Sequence, residues 1–147
     1  MDELEIGLKK AIKNNKDAIS KLKSAVDFHI RFNVYRRDRV HVSVWDMRSL
    51  NEEYRKKIKH RIKNYEAVFI NILLDGSKSG LFDIKNHKVI AFAILKICNG
   101  VGDWYRENEA LSLEQVIDTY NDLLFTGLIP TNIKNVNFKN KHSPVRQ

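Results

Sequence analysis

The chain has 147 residues, 43% of them hydrophobic and 30% charged, with a formal net charge of +8. That is an ordinary globular balance, and the length fits one domain with a sizeable core but leaves little room for two. No apolar run approaches the ~18 residues of a membrane span, and the acidic start MDELEIGLKK has no apolar secretory core. The single cysteine, Cys98, sits in the apolar run VIAFAILKIC and cannot form an internal disulfide. A buried thiol and a reducing, cytoplasmic setting are expected.

Proline occurs only at 130 and 144, so nothing before Ile129 interrupts a long helix. Leu4, Leu8 and Ile12 at four-residue intervals predict a first helix from Asp2 to about Lys13, broken by Asn14-Asn15. Asp17 is placed to cap a second helix reaching about Val34, apolar around much of its circumference and hence covered on more than one side. Val40, Val42 and Val44 alternate with polar residues as a strand would, but a lone strand is unstable, and a short helix ending near Ser49 is expected instead.

Ser49 and Glu52 have capping-box spacing. Leu50, Tyr54, Ile58, Ile62, Tyr65, Phe69, Ile72 and Gly76 follow at three- and four-residue intervals. The pattern predicts one helix of about thirty residues, ~45 Å long, with Arg55, Lys56, Lys57, Lys59, Lys63 and Asn64 in water and Gly80 as its stop. Asn86 should cap a helix over 87–106 that is apolar almost all round. A second capping box, Ser112 to Gln115, opens a last helix that should bury Val116, Ile117, Tyr120, Leu123 and Leu124 and end at Gly127. The sequence thus predicts an all-α bundle of about six helices over 1–128, with an aperiodic, disordered tail over 129–147.

Catalytic and metal motifs do not emerge. None of the histidines at 29, 41, 60, 87 and 142 has a glutamate three residues before it or a partner at helical zinc-site spacing. Asn99-Gly-Val-Gly102 lies in a helix pattern without the lysine of a phosphate loop. No enzyme activity, metal or cofactor is expected.

A small-molecule site is the better fit to an aromatic-rich helical core. The inward stripes carry Phe28, Phe32, Trp45, Tyr65, Phe69, Phe92, Trp104, Tyr105 and Tyr120. Polar residues intrude at His29, Arg48 and Asn99, and Arg106 follows Trp104-Tyr105, where a guanidinium beside aromatics can clamp a phosphate or carboxylate. The candidate ligand-binding set is therefore Phe28, His29, Phe32, Trp45, Arg48, Tyr65, Phe69, Phe92, Asn99, Trp104 and Arg106. The alternative is a helical adaptor, without a ligand cavity, that binds a protein or an acidic partner through its basic face.

The order of features from about Lys21 to Leu128 resembles the C-terminal domain of TetR-family regulators, in the branch responding to acyl-CoA thioesters. The resemblance is carried by FHIRFNVYRRDRVHVSVWDMRSLN, by IKNYEAVFINILLDGSKSGLFD with its Ser79–Phe82 exit, and by GVGDWYRENEALSLEQVIDTYNDLLFTGL. Within the last stretch stand Trp104-Tyr105-Arg106, Leu111-Ser112, Glu114 to Ile117 and Gly127-Leu128. The resemblance implies a homodimer through the last two helices, with Ile90, Ile94, Ile97, Val101, Val116, Ile117, Tyr120 and Leu124 at the interface. It also implies a cavity for an apolar or acyl ligand, and ligand-controlled DNA binding by a helix-turn-helix that does not appear in these residues.

Overall fold

The computed structural model describes residues 2–37, 50–107 and 110–129. Among the described residues every regular element is helical: α1 (Asp2–Ile12), α2 (Ala18–Tyr35), α3 (Glu52–Lys78), α4 (His87–Asn99), the single turn α5 (Val101–Trp104) and α6 (Leu113–Leu128). The expected short helix near Val40–Val44 and the expected disordered tail beyond Ile129 lie outside the described residues.

Helix ends follow local chemistry. The Asp17 carboxylate accepts from the Ser20 amide at 2.9 Å, and Asn86 from Val89 at 3.1 Å, satisfying backbone donors that a first turn leaves free. Ser112 and Gln115 form the complete predicted box. The long helix differs from expectation. It begins at Glu52, spans 27 residues and is capped by Asn51, whose side chain accepts from the Tyr54 amide at 2.9 Å. Asn51 is as good a cap as serine, and this register sets Glu52 and Glu53 in the first turn, where the helix dipole favours acids. At its other end Gly80 takes φ 73°. Leu81 donates back to the Gly76 carbonyl at 2.8 Å and Gly80 to Ser77 at 3.1 Å, a Schellman closure that needs the left-handed conformation glycine adopts freely.

Helix α2 is the hub and touches α1, α3, α4, α5 and α6. Its Leu22, Ala25, Val26, His29, Ile30 and Asn33 are all buried, as the wide apolar surface predicted. Leu8 of α1, Phe69 and Leu73 of α3, and Ala91, Ile94 and Cys98 of α4 complete the centre of the core. The end of α6 is held by Phe125 beside Phe82, ring centroids 6.2 Å apart, and by the Asp83 amide donating to the Leu128 carbonyl at 2.9 Å.

Two expectations need correction. The predicted single helix over 87–106 is two: α4 ends at Asn99, and after Gly100 the chain makes the separate turn α5. Glycine loses the most backbone freedom in a helix, so two glycines in three residues weaken its continuation there. Gly102 has a second role, because a Cβ there would stand 3.0 Å from the Asn33 carbonyl oxygen of α2. Leu123 was expected inside but is 62% exposed, and Tyr120 is only half-buried. The inward face of α6 is instead Leu113, Val116, Ile117, Leu124, Phe125 and Leu128.

Candidate functional site: a buried histidine between three helices

His29 is 5% exposed and sits where α2, α3 and α4 meet. Its Nδ1 lies 2.8 Å from the Tyr65 hydroxyl of α3, and its Nε2 lies 2.8 Å from Asn99 Oδ1 at the end of α4. A carbonyl oxygen accepts only, so Nε2 carries the proton and donates to Asn99. Nδ1 is then the acceptor for the Tyr65 O–H. One neutral ring thereby hydrogen-bonds two other helices.

Aromatic neighbours seal the group. The Phe69 ring stands edge-on to His29 at 5.9 Å, Tyr65 lies at 5.5 Å from it, and Tyr65 and Phe69 are 5.7 Å apart. Burial in this surrounding pushes the His29 pKa down to about 4 and raises that of the Tyr65 hydroxyl, because water no longer solvates their charged forms. The Cys98 thiol is likewise pushed up to about 12 by burial, so it is an unreactive core group, as its sequence context suggested. The site therefore offers hydrogen bonds without charge.

Four of the predicted ligand residues, His29, Tyr65, Phe69 and Asn99, come together here. The other described members of the set do not join them. Phe28 and Phe32 pair with each other at 5.9 Å, and the Phe28 ring lies over Gly7 on the α1 side of α2. Phe92 is half-buried on α4 beneath Lys88, whose Nζ is 5.6 Å from the ring. Trp104 is 47% exposed and stacks edge-on to Tyr105 at 6.2 Å. Arg106 is exposed and turns onto its own backbone, donating to the Asp103 carbonyl at 3.1 Å and the Tyr105 carbonyl at 2.8 Å. Trp45 and Arg48 lie outside the described residues.

Sequence reasoning missed Asn33 and Arg37. Asn33 is buried one turn after His29 and donates to the His29 carbonyl at 2.8 Å. Its signal was a second polar residue four positions along an otherwise apolar helix face. Arg37 donates through Nη2 to the Tyr105 carbonyl at 2.7 Å, tying the end of α2 to the turn that Arg106 also holds.

The predicted interface set also divides. Ile94, Val101, Val116, Ile117 and Leu124 are all buried within this chain. Ile90 and Tyr120 are half-buried, and Ile97 is 40% exposed. The outward apolar surface of the same helices includes Val89, 57% exposed, and Leu123.

With this geometry in place, comparison with known proteins is informative. Residues 15–128 match the family described as "Tetracyclin repressor-like, C-terminal domain". The chain belongs to that family, and its helical architecture is the fold of TetR C-terminal domains.

Three solved structures illustrate the likeness. The ketosteroid transcriptional regulator KstR2 of Mycobacterium tuberculosis superposes with a TM-score of 0.78 at 17% identity, over 88% of this chain and 67% of its own. The TetR family regulator PfmR from Thermus thermophilus gives 0.76 at 23% identity, over 88% and 70%. AibR in complex with isovaleryl coenzyme A and operator DNA gives 0.72 at 18%, over 86% and 71%. Comparison with curated protein sequences yields no significant match. Among the described residues no helix is long and apolar enough to cross a membrane.

Proposed function

We propose that this chain is the effector-sensing and dimerisation domain of a TetR-type repressor, and that its effector is an apolar or acyl small molecule, with acyl-CoA thioesters the first class to test. Binding of the effector alters DNA binding by a helix-turn-helix domain of the regulator. The observation that carries this reading is the neutral Tyr65–His29–Asn99 chain. It joins three helices, with His29 and Tyr65 inside an aromatic surround and Asn99 at its exposed end, and contains both donors and acceptors. A ligand carbonyl entering there would compete for the Tyr65 or His29 proton, while a bare carboxylate would find, among the described residues, no cation hydrogen-bonded to that ring.

The likeness to a structure that contains isovaleryl coenzyme A supports an acyl thioester as the first ligand to try. Dimerisation is supported by the apolar side chains that α4 and α6 leave in water, notably Val89, Ile97 and Leu123. On this reading the interface uses these outward residues with Ile90 and Tyr120. The remaining predicted interface residues belong to the protomer core.

A thermal-shift series with acyl-CoAs of increasing chain length tests the ligand class. Saturating ligand should raise Tm by an amount that grows with affinity, and His29→Ala should reduce the shift. No shift across the series would overturn the acyl reading.

A further inference from the structure

The basic residues are spread along the chain, but their densest run lies at one place. Residues 55–63, RKKIKHRIK, contain six of its 26 lysines and arginines and no acid. They form the N-terminal half of α3. At 100° per residue, Lys56, Lys59 and Lys63 fall within about 60° of one another and climb about 10 Å along the axis. All three are exposed. Lys56 reaches Glu52 at 2.9 Å, a pair in which both side chains are at least 75% in water and therefore weak. Lys59 and Lys63 make no ion pair with the described residues. Of the apolar residues of this half-helix, Tyr54 and Ile58 fall on the far side by the same spacing, and Ile62, 38% exposed, stands about 60° from Lys59 at the edge of the face.

We propose that the Lys56–Lys59–Lys63 face of α3 holds the phosphate backbone of duplex DNA without reading its sequence. Three cations rising in steps of about 4.5 and 6 Å meet the near-continuous line of phosphates on a duplex at any register. Single-stranded nucleic acid fits less well, because its binders need aromatic platforms and this face has none. A membrane surface fits less well for a related reason: interfacial helices bury a broad apolar face beside their lysines, and here only Ile62 borders them. The proposal is independent of the effector reading, since α3 presents this face whatever the core binds.

The test is fluorescence anisotropy of the 147-residue chain with a random-sequence duplex across a salt series. Three neutralised phosphates predict a slope of log K against log salt of about −2 to −3. K56Q/K59Q/K63Q should weaken binding at 50 mM salt by roughly tenfold or more, whereas K13Q/K16Q/K85Q, with the same change of charge at exposed positions elsewhere, should change it little. Glutamine keeps helix propensity, so both variants should fold. Absence of binding at 50 mM salt, or equal weakening by the two variants, would overturn the proposal. So would polyglutamate or phosphatidylserine vesicles competing as well as DNA does, which would identify an acidic protein or a membrane as the partner.

Discussion

The Tyr65 hydroxyl donates to His29 Nδ1 at 2.8 Å, so a tyrosine on α3 fixes both the orientation and the tautomer of a histidine on α2. Nε2–H is thereby aimed at Asn99, at the end of a third helix. The value of this contact lies in what its removal leaves behind. In Tyr65→Phe the ring keeps its place, but Nδ1 becomes a buried acceptor without a partner. The expected loss is about 1–3 kcal/mol, read as a lower midpoint in urea with an unchanged slope. A midpoint equal to that of the parent would mean that water reaches Nδ1.

Acid should loosen the same group. The folded-state pKa of His29 is near 4, below its ordinary value, so the unfolded chain binds the proton more readily. Stability from this residue is then complete above about pH 6.5 and falls as pH drops toward 4. Between pH 7 and pH 5 the decline should be roughly 2 kcal/mol. His29→Gln should remove that part of the pH dependence. Urea titrations of both proteins at the two pH values measure it; parallel declines would exclude His29 as the source.

The contact of α5 with α2 predicts a sharp size limit at Gly102. A methyl group there meets the Asn33 carbonyl, which belongs to a helix and has little freedom to withdraw. Gly102→Ala should destabilise by about 1–3 kcal/mol despite alanine's better helix propensity. Thermal unfolding decides the sign.

Dimerisation gives a further prediction. If α4 and α6 meet a second copy, Ile97→Asp together with Leu123→Asp should yield a monomer that retains the helical content of the parent. Both residues are exposed in the single chain, so the double change should cost the protomer little. Sedimentation velocity distinguishes the outcomes, and an unchanged dimer would locate the interface elsewhere.

The order of the main helices, most caps and the hub role of α2 were legible in the sequence because they rest on spacing and on short-range chemistry. Asp17, Asn86, Ser112 and Gly80 each act through neighbours within a few residues. What spacing cannot decide is which side of a helix faces inward when most sides are apolar. That is why Ile94 and Val116, expected at an interface, are buried within this chain, while Leu123, expected inside, is exposed. The site was half legible. His29 and Asn99 stood out as polar residues among apolar ones, but their union with Tyr65 depends on long-range packing, over 36 and 70 residues of chain. Arg106 misled for a local reason: its guanidinium is held by the carbonyls of its own turn.

Native mass spectrometry of the chain, purified without added ligand and then offered isovaleryl coenzyme A and longer acyl-CoAs, addresses dimer and ligand in one experiment. A dimeric effector-sensing domain should give a species of twice the 17.2 kDa protomer mass that retains an acyl compound, either carried through purification or taken up from the mixture. An empty 17.2 kDa monomer that takes up none of them would contradict that reading.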